Sequence, residues 1–570
     1  MLAPVSARRS ALEERHSPWR PQLLHEVLDS AAQLTPDREF VVADGTTWTY
    51  ESVRERSFAL ARGLIDAGVR PGEHVALLMA NFPDFVPMKY AISRVGATCA
   101  PINFLNRKDE LGYVLSQSDS VVLITMDAFR GLDYQQSLDE LMPGWESNGG
   151  GENFPKLRSV FVFPTGQGVV RPHATSMEAL SERGQDVSVP ERPVEPSAPS
   201  DIIYTSGTTG NPKGVLLTHD MLVRTSYGAA YSRAFEEGRR ITFSLPMYHV
   251  YGYVEGMLAV PWVSGTIIPQ VTFDARSTLS AIGDYGATDI LLVPTMTIGL
   301  LDVLKSGEES DLSSLTAMIS SGGYAPPSLW DDIATWFGPV ELTTGYGMSE
   351  TTATTTLTEP DVDLSKHRST NGHMRPCGIA GDPALGGALT QYKVVDQESG
   401  DILGPGEVGE LCARGPGITS GYYNKPQETR DAFDADGWFK SGDLGFFDSE
   451  GFMSLVGRSK DLYRCGGEQV VPLEIENVLL THPAVHQAHV VPLRHDKMGE
   501  VGVACIVLRP DMVVSEEELR SLCSERLARF KVPAHVLFLD ASEIPLTASG
   551  RPRKFLLAQV AAEALRPTQS

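Results

Sequence analysis

Short apolar runs alternate with helical segments near the start of the chain, and this alternation restricts the fold more than any other feature. Residues 74–80 (HVALLMA) predict a buried strand. Before them, residues 50–67 carry apolar side chains at helical spacing, and Thr49 is placed to cap that helix. Residues 82–95 predict a second helix and residues 97–102 a second strand. This order predicts a parallel sheet with helices on its faces.

The length of the chain indicates more than one domain, because 570 residues exceed what one hydrophobic core usually serves. Over residues 378–456 the helical periodicity gives way to short β-like runs between glycine and aspartate turns, which predicts a small β-barrel or sheet. A compact unit of small-domain size begins after Lys460. Residues 1–20 lack the apolar core of a signal peptide, and we expect a disordered extension there.

Charge and cysteine content exclude several classes of protein. The net charge of −24 disfavours nucleic acid and anionic membranes as main partners, and any anionic ligand needs a local source of positive potential. No apolar run is long enough to span a bilayer. The six cysteines form no C-x-x-C pair, so neither a disulfide framework nor a zinc site is indicated. A cytoplasmic location is the natural expectation.

The string YTSGTTGNPKG at residues 204–214 is the strongest chemical signal. Its glycines leave backbone N–H groups open to a phosphate, while Ser206, Thr208 and Thr209 add hydroxyl donors. Lys213 adds a positive charge. The spacing is not that of a Walker A loop. The ordered string therefore favours a different phosphate-binding loop over a flexible surface loop of the same composition.

This string resembles the phosphate loop of the adenylate-forming superfamily of acyl-CoA synthetases, peptide-synthetase adenylation domains and luciferases. From about residue 25 onward, further motifs follow in that family's order, and their joint order is far more specific than any one of them. They are PMYHVYG at 246–252, SGGYAP at 321–326, GYGMSET at 345–351, WFKSGD at 438–443 and GRSKD at 457–461.

The resemblance implies an α/β fold in two domains. The large N-terminal domain, residues 21–457, would contain two parallel-sheet αβαβα subdomains and the small β-barrel. A hinge at residues 458–460 would lead to a small, mobile α+β C-terminal domain, residues 461–570. In the family, such a chain joins a carboxylic acid to coenzyme A through an acyl-AMP, using ATP and Mg²⁺.

The resemblance also implies roles for particular side chains. Tyr346 is expected to stack on adenine, and Glu350 to ligate Mg²⁺, a cation that prefers oxygen ligands. Asp443 is expected to accept both ribose hydroxyls, with Arg458 reinforcing that grip. His249 is expected to line the acyl channel and to move between catalytic states. Taken singly, a solvated glutamate, a turn aspartate, a surface arginine and a core histidine are simpler interpretations, and the order of the motifs favours the functional ones.

The remaining implied contacts follow from matching motif positions. The residues expected to bind the nucleotide or coenzyme A are Thr205, Ser206, Gly207, Thr208, Thr209, Gly210, Lys213, Gly322, Gly323, Tyr324, Gly345, Tyr346, Gly347, Met348, Ser349, Asp443, Arg458, Gly466 and Gly467. Tyr251 and Val254 are expected to contact the acyl group. Lys460 matches the hinge about which the C-terminal domain turns between adenylation and thioester formation. Cys465 is predicted to be a packing residue, since coenzyme A brings its own thiol.

One position departs from the family pattern. The C-terminal motif P-x-T-x-x-G-K is PLTASGR at residues 545–551, so Arg551 stands where the catalytic lysine is expected. In the family that lysine bridges the substrate carboxylate and the α-phosphate. Arginine keeps the charge but is longer, planar and forked. Loss of one preorganised donor costs about 2.7–4 kcal/mol, or roughly 100- to 1,000-fold in rate.

The second half-reaction does not require this residue, which suggests a hypothesis. The chain would mainly thioesterify an acyl-AMP supplied by a separate adenylating ligase. In this it resembles the non-adenylating acyl-CoA ligases of platensimycin-type natural-product biosynthesis. Lys554 is an alternative source of the missing ammonium, although Pro552 constrains the backbone between the two positions.

Other interpretations stay open. The chain is a complete acyl-CoA ligase if Arg551 does the work of the lysine, or a nucleotide-binding pseudoenzyme if neither half-reaction runs. An amino-acid adenylation domain is disfavoured, because residues 251–257 (YGYVEGM) lack the aspartate that holds a substrate ammonium in that class. Nothing positive supports luciferase-type oxidation. The sequence does not identify the acid, and a homodimer is expected only on general grounds.

Overall fold

The computed structural model describes residues 2–43, 45–205, 211–323, 325–547 and 552–566. The first half of the chain forms α1 (Val5–His16), α2 (Leu24–Leu34), β1 (Glu39–Ala43), β2 (Thr46–Thr49), α3 (Tyr50–Asp66), β3 (His74–Leu78), α4 (Phe85–Val95), β4 (Thr98–Pro101), α5 (Lys108–Gln117), β5 (Ser120–Met126), β6 (Ala128–Phe129), β7 (Leu132–Asp133), α6 (Tyr134–Leu141), α7 (Trp145–Asn148), β8 (Ser159–Phe163), β9 (Thr175–Ser176), α8 (Met177–Ser181), β10 (Pro199–Thr205), β11 (Lys213–Thr218), α9 (His219–Ser232) and β12 (Arg240–Phe243).

The second half begins with a π-helix, Tyr251–Met257. It continues with β13 (Thr266–Pro269), α10 (Ala275–Tyr285), β14 (Asp289–Leu292), α11 (Pro294–Lys305), β15 (Ala317–Ser320), α12 (Ser328–Trp336), β16 (Glu341–Thr343), β17 (Gly345–Met348), β18 (Ala353–Leu357), α13 (Leu364–Ser369), β19 (His373–Met374), β20 (Gln391–Val395), β21 (Gly409–Arg414), α14 (Pro426–Ala432), β22 (Phe439–Phe447), β23 (Met453–Arg458), β24 (Tyr463–Cys465), β25 (Glu468–Val470), α15 (Pro472–Leu479), β26 (Val485–His495), β27 (Gly499–Leu508), α16 (Glu516–Arg526), β28 (His535–Phe538) and α17 (Lys554–Ala564).

Single 3₁₀ turns connect several of these elements. They lie at Val260–Val263, Ser349–Thr351, Gly378–Ala380, Pro383–Leu385, Ser459–Asp461, Arg529–Lys531 and Ala541–Glu543.

Two seven-stranded, mainly parallel sheets form the large domain. Their strand orders are β11-β10-β4-β3-β5-β8-β9 and β16-β15-β14-β12-β13-β1-β2, with antiparallel pairing only at β10–β11 and β1–β2. The strand predicted at residues 74–80 is β3, and the helix predicted at 50–67 is α3. The Thr49 side chain accepts a hydrogen bond from the Ser52 backbone N at 3.2 Å, as a helix N-cap does. The predicted parallel α/β architecture is confirmed.

In the region predicted as a small β-barrel, residues 378–456, strands β20-β21-β22-β23 form one antiparallel sheet. Strands β17-β18-β19, which come just before that region, form a second small antiparallel sheet. Tyr346 of β17 packs in one apolar core with Val394, Leu411 and Met453 of the four-stranded sheet. This shared core fixes the position of β17 against β22 and β23.

The C-terminal domain is built on a mixed sheet of order β25-β24-β27-β26, with β28 parallel to β27. The strands predicted at residues 485–491 and 501–508 are β26 and β27. One apolar core of this domain includes Ile475, Leu479 and the buried Cys465, which agrees with a packing role for that cysteine.

The expectation of a disordered segment at residues 1–20 is wrong. Residues 5–16 form α1, which buries Val5, Arg8 and Leu12 on one face. The Arg8 guanidinium donates to the Ala234 carbonyl at 2.5 Å and also pairs with Glu341. This helix is largely polar and is held by an arginine rather than by an apolar stripe, so the spacing of apolar residues does not predict it. No helix within the described part of the chain is long and apolar enough to cross a bilayer.

Candidate active site

Three predicted nucleotide-binding residues meet where β17, β22 and β23 adjoin. Tyr346 Oη donates to Asp443 Oδ2 at 2.7 Å, and Arg458 Nε lies 3.0 Å from Asp443 Oδ1. Asp443 and Arg458 are opposite each other in the β22–β23 ladder. The charge of Asp443 raises the pKa of Arg458, and burial together with Asp443 raises that of Tyr346. The carboxylate is therefore held in a fixed orientation by a phenol and a guanidinium.

Glu350 lies close to this group, in the 3₁₀ turn that follows β17. Its side chain is buried, and Tyr422 Oη donates to Glu350 Oε1 at 3.0 Å. Burial raises the pKa of Glu350 above its ordinary value. Lys213 Nζ lies 4.8 Å from the ring centroid of Tyr422, so the end of the phosphate loop and the Glu350 turn share one tyrosine. Sequence reasoning missed Tyr422, because it lies in a loop between β21 and α14 that matched no motif.

The donor set around Glu350 bears on metal binding. Within the described residues, no group of three or more His, Cys, Asp or Glu side chains is arranged to hold a metal ion. Mg²⁺ is usually bound through one or two carboxylates together with substrate phosphates. A single buried carboxylate is compatible with an ion that is also held by nucleotide phosphates.

The predicted phosphate loop connects two antiparallel strands. Thr205 at the end of β10 is opposite Lys213 at the start of β11, and both side chains are half-buried. Residues 206–210, which include Ser206, Gly207, Thr208, Thr209 and Gly210, lie outside the described residues. The structure thus places the two ends of the loop beside each other, at the carboxyl end of β10.

The glycines of the 345–351 motif permit close strand pairing. A Cβ on Gly347 would lie 1.8 Å from the Ala353 carbonyl oxygen, and one on Gly345 would lie 2.2 Å from the Thr356 carbonyl oxygen. Met348 ends β17, with its sulfur 3.9 Å from Tyr346 Oη, and Ser349 begins the buried turn. These glycines therefore allow β18 to approach β17.

The motif at residues 321–326, which contains predicted nucleotide-binding residues, is joined to β17 by a side chain. Ser321 Oγ donates to the Gly345 carbonyl at 2.6 Å. Gly322 adopts φ 86°, a left-handed conformation that favours glycine. Gly323 has ordinary space around it, since a Cβ there would lie 3.5 Å from Pro294 Cδ. Tyr324 lies outside the described residues.

The predicted acyl-binding residues belong to one segment. His249 is half-buried, and its Nδ1 accepts a hydrogen bond from the Tyr251 backbone N at 3.2 Å. The Tyr251 hydroxyl donates to the Leu292 carbonyl at 3.0 Å, and Val254 is fully buried. Tyr251 and Val254 both lie in the π-helix, a conformation that occurs frequently at functional sites.

Two glycines expected to bind the nucleotide or coenzyme A lie in the C-terminal domain. Gly466 and Gly467 form the exposed β24–β25 turn, with φ 62° and 92°, and Arg464 lies 3.6 Å from Glu398. Lys460 is exposed in the turn between β23 and β24. This arrangement leaves the β24–β25 turn facing solvent.

Arg551 lies outside the described residues, but its alternative, Lys554, does not. Lys554 Nζ lies 2.7 Å from Glu476 Oε1, which also accepts from the Val490 backbone N at 2.7 Å. Glu476 is only 5% exposed. Lys554 is therefore paired with a buried carboxylate of its own domain.

Fold and site together define a class of protein. Two parallel sheets carry a Ser/Thr/Gly loop, a buried turn with one carboxylate, and an aspartate held by a tyrosine and an arginine, followed by a small C-terminal domain. This is the organisation of an adenylate-forming enzyme.

Comparison with known proteins is more specific. The AMP-binding enzyme family profile matches residues 28–423, and the AMP-binding enzyme C-terminal domain profile matches residues 474–551. The acyl-CoA ligase sidI of Aspergillus fumigatus is 32% identical over 538 residues, 91% of this chain and 88% of that protein. The mitochondrial medium-chain acyl-CoA ligase ACSF2 of Danio rerio is 29% identical over 557 residues, 95% of this chain and 88% of that protein.

The fold comparison agrees. A crystal structure of the anthranilate CoA ligase AuaEII in complex with anthranoyl-AMP superimposes with a TM-score of 0.82 at 23% identity, covering 96% of this chain and 99% of that one. The chain belongs to the AMP-binding enzyme family, and it is an acyl-CoA ligase that acts through an acyl-AMP.

Proposed function

We propose that this ligase is specialised for the second half-reaction, the transfer of an acyl group from acyl-AMP to coenzyme A. The observation that carries the proposal is Arg551 at the position of the family's catalytic lysine. In adenylation a carboxylate and the α-phosphate, both anions, approach each other in a site with little water, and a compact cation lowers that cost. A guanidinium is too long and too flat to take the place of an ammonium between them.

The position of Lys554 supports the proposal. Its ammonium neutralises the buried Glu476, and moving it to a phosphate would leave that carboxylate buried without its partner. Breaking a buried pair in this way costs about 3–5 kcal/mol. The penalty disfavours Lys554 as a substitute for the missing lysine.

Thioester formation makes different demands on the chain. The coenzyme A sulfur bonds to the acyl carbon, the bond from that carbon to the phosphate oxygen breaks, AMP leaves, and the thiol proton passes to solvent. Asp443 is oriented by Tyr346 and Arg458, and in this proposal it would hold the ribose of the acyl-AMP. The nucleotide-binding side therefore serves this step without residue 551, given an acyl-AMP from a separate adenylating ligase.

ATP and Mg²⁺ would bind beside the turn that contains Glu350. When bound, Mg²⁺ would neutralise phosphate charge and, with it, the buried Glu350 carboxylate. Tyr422 holds that carboxylate through its hydroxyl, and Lys213, beside the Tyr422 ring at the end of the loop, would contact a phosphate. Residual adenylation by this chain is expected to depend on these three side chains.

We infer that the acyl group is apolar and uncharged. Val254 is fully buried in the π-helix, and the neighbouring charged side chain, Glu255, is paired with Arg375. The Tyr251 hydroxyl is likewise already bonded to the Leu292 carbonyl. The name of the relative ACSF2, a medium-chain acyl-CoA ligase, supports the same class of acid.

A paired assay tests the proposal. Purified enzyme is given coenzyme A with either acid, ATP and Mg²⁺ or the matching synthetic acyl-AMP, across linear medium-chain and aromatic acids. Thioester formation is expected to be at least tenfold faster from acyl-AMP. Equal rates by the two routes would indicate a complete ligase, and no product by either route would indicate a nucleotide-binding pseudoenzyme. Asp443→Asn serves as the control that should slow both routes.

A further inference from the structure

We propose that Arg375 is a positioning residue for the ligase reaction, because it joins the acyl-binding π-helix to the nucleotide-binding strands. Arg375 follows β19 and is 2% exposed. Its Nη1 lies 2.7 Å from Glu255 Oε1 and its Nη2 lies 3.3 Å from Glu255 Oε2, so the guanidinium grips the carboxylate with both arms. The proposal concerns the geometry of the acyl-AMP site and does not depend on which half-reaction is faster.

The same guanidinium also contacts the nucleotide side. Arg375 Nη1 donates to the Thr354 carbonyl at 2.9 Å. Thr354 belongs to β18 and is opposite Gly347, a residue of the GYGMSET motif. One nitrogen atom therefore contacts both the acyl-binding π-helix and the strand paired with β17.

The rest of the side chain is anchored as well. Arg375 Nε donates to Ser232 Oγ at 3.1 Å and to the Gly228 carbonyl at 3.3 Å, and both partners belong to α9. A planar group with partners on three sides has little freedom to rotate. The guanidinium is thus fixed relative to α9. Through its hydrogen bonds it also fixes Glu255 and Thr354 relative to that helix.

Glu255 lies in the π-helix immediately after Val254, and it is completely buried. On the backbone side, Arg233 Nη1 donates to the Glu255 carbonyl at 3.2 Å. The Glu255 carboxylate is thus bonded to Arg375, which also contacts β18. The Glu255 carbonyl is held by Arg233, the residue that follows α9. The Arg375–Glu255 pair therefore sets the distance between the π-helix and the sheet of β17 and β18.

In the proposed site the acyl group would contact the π-helix and the nucleotide would contact β17. The distance between these two elements would therefore set how the acyl carbon and the phosphate of an acyl-AMP are placed. Errors of about 1 Å in the placement of reacting groups can cost about 100-fold in rate. A buried ion pair is a poor source of stability, because desolvation offsets most of the attraction. Placement of the reacting groups is a better explanation for this pair than stability.

The test compares Arg375→Lys with Arg239→Lys. Lysine keeps the charge at position 375 but cannot grip Glu255 and Thr354 together. Arg239 is an equally buried arginine whose Nη1 lies 3.0 Å from Asp289, and its Nε and Nη2 donate to Glu236. Both variants are expected to lower the melting temperature. Only Arg375→Lys is expected to lower kcat, by roughly 10- to 100-fold, with affinity for AMP unchanged within about twofold.

The native enzyme and each variant are assayed by both routes, acyl-AMP with coenzyme A and acid with ATP and coenzyme A. If the half-reaction proposal is wrong, the native enzyme shows equal rates by the two routes. The comparison of Arg375→Lys with Arg239→Lys is then unaffected. Glu255→Gln, which keeps an oxygen acceptor, is the second variant and is expected to lose less kcat than Arg375→Lys. A folded Arg375→Lys enzyme with kcat within twofold of native would overturn the proposal. Failure of both Arg375→Lys and Glu255→Gln to fold would also overturn it, because the ion pair would then serve only the stability of the fold.

Discussion

Tyr346 donates a 2.7 Å hydrogen bond to Asp443, a residue 97 positions later in the chain. The bond crosses from β17 to β22 and leaves the other Asp443 oxygen to Arg458. Because the carboxylate is oriented from both sides, it presents its remaining acceptor positions in a fixed direction. A carboxylate in a fixed orientation is what the proposed contact with the ribose hydroxyls requires.

Tyr346→Phe is expected to weaken AMP binding. The variant keeps the ring in its apolar core but removes the donor, and a hydrogen bond to a charged group contributes about 1.5–3 kcal/mol, so a loss of about tenfold or more is predicted. Isothermal titration calorimetry with AMP measures it. Tyr392→Phe is the matched control, because Tyr392 lies in the same cluster and contacts Thr355 instead. Equal losses in the two variants would contradict the assignment.

Gly347→Ala is expected to abolish nucleotide binding, because its Cβ would lie 1.8 Å from the Ala353 carbonyl oxygen and would push β18 away from β17. Gly299→Ala in α11 is the control, since its Cβ would make only ordinary contacts at 3.6 Å. AMP-dependent stabilisation against heat is the measurement. A normal shift of the melting temperature with AMP in Gly347→Ala would show that the strand pairing does not matter for the site.

Glu350→Gln is expected to stabilise the ligand-free enzyme at neutral pH. Burial raises the pKa of Glu350, so the folded state binds the proton more tightly than the unfolded state does. The stability from that preference is present below the ordinary pKa of 4.5 and is lost as the pH rises through the raised pKa. Glutamine has no proton to lose, so the variant keeps that stability at neutral pH.

The melting-temperature gain of Glu350→Gln over native should therefore shrink as the pH is lowered toward 4.5. Glu398→Gln, whose side chain is 88% exposed, is the control and should show no such trend. A gain that is independent of pH would mean that Glu350 is not destabilised by burial.

Arg8→Ala is expected to cost about 1.5–3 kcal/mol of unfolding free energy, because the Ala234 carbonyl and Glu341 lose a charged donor. Arg15→Ala, at the more exposed end of the same helix, should cost about 1 kcal/mol or less. Urea unfolding measures both. If Arg8→Ala costs as little unfolding free energy as Arg15→Ala, then α1 is only loosely attached to the domain.

The sequence predicted the parallel sheets well, since β3 and β4 are mostly apolar and α3 has a clear cap and helical spacing. It failed at α1, where Arg8 rather than an apolar stripe holds the helix. For the site, motif order pointed to Tyr346, Glu350, Asp443 and Arg458, and the structure places them beside one another.

Two contacts near the site had no signal in the sequence. Tyr422 reaches Glu350 from a loop without a recognised motif. Arg375 and Glu255 are 120 positions apart, and no local pattern connects them. Both depend on long-range packing, which spacing along the chain does not encode.

The central claim concerns Arg551, and the most direct measurement is ATP–pyrophosphate exchange by the native enzyme and by Arg551→Lys, with Arg553→Lys as the neighbouring control. We predict slow exchange by the native enzyme and an increase of roughly 100- to 1,000-fold in Arg551→Lys only, while thioester formation from acyl-AMP stays within twofold in all three. Native exchange that is already as fast as that of Arg551→Lys would contradict the account.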